Sequence, residues 1–271
     1  MKIQYVSDIH AEFFEDFNSM AYQPSLGLFE ALDEADVIIF AGDIHHSGKQ
    51  AARWINQNSK GKLCFAVLGN HEYYASSAKY GREVDAFKEE AREDVILLDN
   101  DHMGIFNSED GETFCFYGGT MWTDFSVGDF VLDRLSIINS MNDYKKIRLY
   151  KNKFGETRKV IPEDFMRENK LFMKGLSYFN SWEKKVKRIV VSHHDPMPPK
   201  PSSRSFNSEI KGAYHNDVRP LLSEENNIDL WISGHTHEPK DNKFGKTRFV
   251  SNPHGYFGHE NLGYSNKLIE L

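Results

Sequence analysis

Apolar runs separated by charged stretches set the rhythm of the 271-residue chain. Short β-rich runs recur, and several stop abruptly at Gly, Asp or His. They are KIQYVSD (2 to 8), DVIIFAGD (36 to 43), LCFAVLGN (63 to 70), ETFCFYGG (112 to 119), RIVVSHH (188 to 194), IDLWISGHTH (228 to 237), TRFVSNP (247 to 253) and NKLIEL (266 to 271). Unbroken Val/Ile/Leu runs predict strands buried on both faces. Helix-like composition lies between them at 25 to 35, 47 to 59 and 76 to 93. A clearer helix starts at Pro162, with Glu163 and Asp164 in its first turn. Phe165, Phe172, Leu176 and Phe179 then mark one face. Residues 217 to 226 are a shorter candidate. The alternation predicts an α/β fold with helices packed outside sheets.

Two stretches break the rhythm. Residues 123 to 160 are charged and weakly periodic, and 195 to 216 hold four of the nine prolines. Loops this long in a compact domain are usually functional or disordered. With no internal repeat and no linker, the expectation is a single domain over 1 to 271, with lid-like insertions at those two places.

Composition narrows the class. Hydrophobic residues make up 39% and charged residues 27%, as in an ordinary globular protein. No apolar run approaches the roughly 18 residues of a membrane span, and the N-terminus is charged too soon for a signal peptide. Cys64 and Cys115 sit inside apolar runs and read as core residues of a reducing compartment, so a cytoplasmic location is expected. The net charge of -7 argues against a broad nucleic-acid footprint. It does not exclude a polyanionic substrate, because bound divalent cations reverse the local potential.

The chemistry stands at the strand ends. Asp8 and His10 follow the first strand, Asp43 the second, and Asn70, His71 and Glu72 the third. His193, His194 and Asp195 follow a later strand, then His235 and His237. In α/β sheets the carboxyl ends of strands form the ligand crevice. Asp8/His10 and His235/His237 are i, i+2 pairs, which point the same way in extended chain. Carboxylate, imidazole and amide oxygen suit Mn, Fe or Zn. The ligands are too many for one tetrahedral zinc, whereas two cations about 3.5–4 Å apart, bridged by a carboxylate, would use them all. Taken singly, D-x-H says little, G-N-H-E could be a turn before a helix, and H-x-H is a moderate signal. Their order and shared placement carry the reading. His45, His46, His102, His254 and His259 are expected on the surface or in loops.

The series D-x-H, G-D, G-N-H-E, a strand ending in H, and G-H-x-H, running from Asp8 to His237, resembles the calcineurin-like metallophosphoesterase superfamily. The resemblance implies a four-layer α/β/β/α sandwich of two facing mixed sheets flanked by helices, with a dinuclear metal centre. It implies Asp8, His10 and His237 on one metal and Asn70, His193 and His235 on the other. Asp43 would bridge both beside a hydroxide that attacks phosphorus, and His71 would contact the phosphate or protonate the leaving oxygen. One departure stands out: many members read G-D-x-x-D where this chain has G-D-I-H-H.

The expected substrate is a small phosphomonoester or phosphodiester, contacted by Arg204, Lys211, Tyr214 and His215 from the loop after His193. A nuclease of the same superfamily is the alternative, supported by the basic run at 145 to 159, whose plainer reading is a solvated face. A non-catalytic metal-binding scaffold is a third reading, against which every expected ligand position is filled.

Overall fold

A computed structural model describes residues 1–15, 29–75, 79–100, 103–150, 155–182, 185–222, 226–256, 260 and 263–271. The apolar runs become two sheets. The first has β1 (Lys2–Val6), β2 (Val37–Ala41), β3 (Leu63–Val67) and β4 (Val95–Leu97) parallel to one another. The second contains β5 (Met103–Asn107) and β6 (Thr113–Gly119). A separate hairpin joins β7 (Arg148–Tyr150) to β8 (Thr157–Lys159). The second sheet continues with β9 (Lys187–Ser192), β10 (Leu230–Ile232), β11 (Lys240–Phe244) and β12 (Thr247–Ser251). Last, β13 (Lys267–Glu270) returns antiparallel to β1. The strand orders are β13-β1-β2-β3-β4 and β11-β12-β10-β9-β6-β5.

Three apolar clusters show how the layers stack. Alternate residues of β1, β2 and β3 (Ile3, Tyr5, Val37, Ile39, Phe65, Val67) meet those of β6, β9 and β10 (Phe114, Phe116, Ile189, Val191, Leu230, Ile232). Phe65 and Phe116 stack across this interface with ring centroids 4.1 Å apart. The opposite face of the first sheet, with Ile38, Phe40, Cys64 and Ala66, packs on helices α2 (Gly48–Asn58) and α3 (Glu83–Glu90). A one-turn helix, α1 (Glu12–Glu15), precedes them. The far face of the second sheet, with Cys115, Tyr117, Val190 and Trp231, packs on the long helix α6 (Pro162–Asn180) through Phe172, Leu176 and Phe179. Helix, sheet, sheet and helix are therefore the four layers. Strands buried on both faces carry no polar alternation, which explains the continuous apolar runs.

Several expectations shift. Residues 29–35 form no helix, while 25–28 lie outside the described residues. The helix expected at 76 to 93 shortens to α3, with 76–78 outside the described residues. The candidate at 217 to 226 is one 3-10 turn, Arg219–Leu221, with 223–225 not described. The 123 to 160 stretch is more ordered than its weak periodicity promised. It holds α4 (Phe130–Ser140), α5 (Asp143–Lys146) and the β7–β8 hairpin. Among the described residues no helix is long and apolar enough to cross a membrane.

Candidate metal centre and active site

Parallel pairing aims the carboxyl ends of β1, β2, β3, β9 and β10 at one place. The loops beyond them continue the pairing: Asp8 N donates to Gly42 O at 3.0 Å, His10 N to Asp43 O at 2.9 Å and Gly234 N to His193 O at 2.9 Å. Backbones this close leave no room for side chains at two positions. A Cβ on Gly69 would lie 2.1 Å from Asp43 Oδ1, and one on Gly234 would lie 2.8 Å from Asp8 Oδ2. Asp8, His10, Asp43, His235 and His237 all take positive φ, between 51° and 66°. Non-glycine residues rarely adopt that conformation, and it clusters at functional sites. Here it turns each side chain back over the strand ends.

The expected ligands converge as two groups. Asp8, His10 and His237 form one, with His10 Nε2 and His237 Nε2 3.1 Å apart and His237 Nε2 3.3 Å from Asp8 Oδ1. Asp43, His193 and His235 form the other, and Asn70 joins it with Oδ1 3.0 Å from His193 Nε2. Asp43 reaches both: Oδ2 lies 3.9 Å from His10 Nε2 and Oδ1 3.4 Å from His193 Nε2. His71 groups with His10 and Asp43, so distance alone does not set it apart from the ligands. His193 rather than His194 enters the cluster; His194 Nδ1 instead faces Thr120 O at 3.2 Å.

The donor set fits divalent cations. His235 Nε2 is buried with no hydrogen-bond partner among the described residues, an arrangement a ligand would relieve. Imidazole nitrogens facing one another at hydrogen-bond distance, beside carboxylates and an amide oxygen, match the N/O preference of Mn, Fe or Zn.

Groups behind the ligands orient them. His193 Nδ1 lies 2.9 Å from Ala41 O, which leaves Nε2 for the centre. Asn70 Nδ2 donates to Asp143 Oδ1 at 2.9 Å and to Tyr74 OH at 2.8 Å, turning Oδ1 inward. His237 Nδ1 pairs with Glu260. Glu72 is fully buried and accepts from the backbone N–H groups of Asp43, Ile44, His45 and Gly69, locking the β2 and β3 loops together. Sequence reasoning assigned none of these roles. Glu72 stands within G-N-H-E, but hydrogen-bond direction is not written in a linear pattern.

Charge follows from these contacts. Burial opposes a charge on His193 and on His237. Asp43 and Asp8 outweigh it for His193, held at about 9, and Asp8 and Glu260 do so for His237, held at about 10. Burial and the neighbouring His194 and His193 keep His235 well below the usual histidine range. His71 is raised, because Asp43 and Glu12 overcome its burial.

The centre floors a cavity of about 380 Å³. Ser140, Met141 and Asn142 line it, as do Arg204, Tyr214 and Tyr256. The 123 to 160 and 195 to 216 stretches thus both border the site. Of the expected substrate contacts, Arg204 and Tyr214 line the cavity and Tyr214 stacks on His235 at 4.8 Å. Lys211 and His215 do not line it. Lys211 Nζ donates to Phe206 O at 3.4 Å, and His215 is fully buried against Ser205, Met197 and Asp195. His45, His46 and His254 lie in loops, as expected, with His45 and His254 buried there, while His102 and His259 lie outside the described residues. Cys64 and Cys115 are buried, as expected.

A model of the calcineurin-like phosphoesterase family matches residues 1–239. The chain belongs to that family. This phosphoesterase is therefore a metal-dependent phosphoester hydrolase, and its buried His/Asp clusters are where metal could be held. Among solved structures, it is similar to a phosphopantetheinyl hydrolase from Mycobacterium tuberculosis, with TM-score 0.67 and 14% identity, covering 98% of this chain and 95% of that one. It also matches a putative 5'-nucleotidase from Staphylococcus aureus, with TM-score 0.49 and 16% identity, covering 93% of this chain and 48% of that one. At these identities the first likeness establishes the fold alone. No curated protein matches the phosphoesterase in sequence.

Proposed function

We propose that the centre holds two divalent cations and hydrolyses a small phosphomonoester or phosphodiester. Asp8, His10 and His237 would hold one cation and Asn70, His193 and His235 the other, with Asp43 between them. The observation that carries this reading is the division of the Asp43 carboxylate, one oxygen toward His10 and the other toward His193. Cations held by these residues would supply Lewis acidity at the phosphoryl oxygens and a more acidic water as the source of the nucleophile.

The chain's own groups do the rest. His71 lines the cavity, and its Nδ1 is taken up by Glu12 at 2.8 Å. Nε2 is then the atom left to give a proton to the leaving oxygen, and Asp43 and Glu12 favour the charged ring against its burial. Arg204 and Tyr214 border the space for the non-reacting part of the substrate. The cavity volume falls in the range of small-molecule sites.

The nuclease reading loses support from the basic run. Lys146 sits over the Tyr74 ring at 4.7 Å and Arg158 pairs with Asp164 at 2.6 Å, so both are engaged within the fold. A cytoplasmic location and a manganese-loaded state complete the proposal. Phosphopantetheinyl compounds belong in a substrate panel on the strength of the similar fold. The test strips metal, restores Mn²⁺, and compares p-nitrophenyl phosphate with bis(p-nitrophenyl) phosphate. Turnover of either, absent without metal and in Asp43→Asn, is expected, and the preferred ester sets the direction of the substrate search. Metal-independent turnover would overturn the reading.

A further inference from the structure

Glu12 entered neither the motif argument nor the ligand sets, yet its carboxylate turns back into the site from α1. Oε1 lies 2.8 Å from His71 Nδ1 and 3.4 Å from His10 Nδ1. One oxygen thus faces the Nδ1 atoms of two imidazoles assigned different work. The two rings meet edge-on, with centroids 4.3 Å apart, while His10 Nε2 faces His237 Nε2. The side chains of Glu12 and His71 are each only 11% exposed, so solvent is a poor substitute for this contact. Glu12 Oε2 is buried with no hydrogen-bond partner among the described residues. A carboxylate kept there despite an unsatisfied oxygen points to a role for the other oxygen.

An acceptor behind Nδ1–H fixes both the tautomer and the ring orientation of a histidine. At His10 the atom left facing the cluster is the one that would bind metal. At His71 it is the one that would meet the substrate. We infer that Glu12 is the positioning residue for His71, holding Nδ1–H so that Nε2–H is presented to the leaving oxygen, and that the same carboxylate oxygen links this histidine to His10. The inference rests on the proposed acid role of His71. In that step the bond from phosphorus to the leaving oxygen breaks with its electron pair going to oxygen, and that oxygen takes the Nε2 proton. His71 is left neutral with Nδ1–H still directed at Glu12, and it regains a proton from solvent water.

The test uses the Mn²⁺-loaded enzyme with phenyl and p-nitrophenyl esters of the class that wild type hydrolyses. Phenolate is the poorer leaving group and needs the proton more. Assayed at Mn²⁺ that saturates each variant, because Glu12 also faces His10, Glu12→Ala is expected to lower kcat on the phenyl ester about 10–100-fold and much less on the p-nitrophenyl ester. Glu12→Gln, whose amide oxygen still accepts, should recover part of the loss. Adding Glu12→Ala to His71→Gln should cost nothing further, because the two act as one unit. In the metal-free protein, ¹H–¹⁵N spectra should place a proton on His71 Nδ1 in wild type and show that preference lost in Glu12→Ala. An unchanged His71 spectrum would overturn the inference, as would equal losses on both esters in Glu12→Ala. If His71→Gln discriminates between the esters and Glu12→Ala does not, only the role of Glu12 falls. If His71→Gln itself shows no discrimination, the acid reading falls and takes this inference with it.

Discussion

The two halves of the centre are backed by different chemistry. Behind Asp8, His10 and His237 stand carboxylates, with Glu12 facing His10 and Glu260 facing His237. Behind Asn70, His193 and His235 stand a backbone carbonyl, two tyrosines and one carboxyl group that faces an amide rather than an imidazole. Ala41 O faces His193, Tyr74 and Asp143 hold Asn70, and Tyr214 stacks on His235. Burial raises the Asp143 carboxyl above its ordinary range, against the hydrogen bonds it accepts from Tyr74 and Asn70. A carboxylate behind an imidazole makes it a stronger base, which strengthens a metal bond but also invites a competing proton. A carbonyl orients the ring with less effect on its basicity. The half backed by Glu12 and Glu260 should therefore depend on charge, and the other on geometry.

The most severe break of this comparison removes what the halves share. Asp43→Asn is expected to abolish turnover and lose both cations, as read by metal analysis; retention of one cation would show that the halves stand independently. Next in size, His71→Gln should lower kcat about 10²–10⁴-fold with metal content kept, which separates the acid from the ligands.

The halves can then be weakened one at a time. Glu260→Gln should reduce affinity for one cation about 10–100-fold, and Asp143→Asn should do the same for the other. Two-site titration calorimetry checks both. Loss of the same site in the two variants would collapse the distinction.

Acidity cuts across the two halves. His237 and His193 are raised to about 10 and about 9, so both carry a proton near neutral pH that a cation must displace. Affinity should therefore rise with pH from neutrality, and proton release on binding should fade as pH passes through these two values. His235, held neutral by burial, adds nothing to that release. Calorimetry in buffers of different ionisation enthalpy measures the release, and none at pH 7 would remove these imidazoles from the ligand set. The smallest effect belongs to Arg204. It is 64% exposed in its pairs with Glu238 and Glu260, so Arg204→Ala should change KM by no more than about fivefold.

Part of this centre was legible in the chain and part was not. Strand-end motifs carry their own evidence, because a buried parallel strand that stops at Asp or His leaves that residue in the crevice. Asp8, Asp43, His193 and His235 are read in this way. Glu12, Asp143 and Glu260 are not. They lie in a one-turn helix, an insertion helix and the segment beyond β12, each far in sequence from at least one partner, and no local period marks them. Lys211 and His215 show the opposite failure. Their position after His193 is right, but a loop's path decides which of its side chains face the cavity.

By itself, the sequence determined the buried parallel strands, the order in which they end, and the residue types collected there. These are local properties, set by hydrophobic pattern and by the few side chains able to bind a cation. The facing of the two sheets, the split of the Asp43 carboxylate and the choice of what stands behind each imidazole were decided only in three dimensions. They depend on contacts such as Phe65 on Phe116 and Glu12 on His71, which join segments 51 and 59 positions apart. Hydrogen bonds and packing act through space and leave no mark at fixed spacing along the chain.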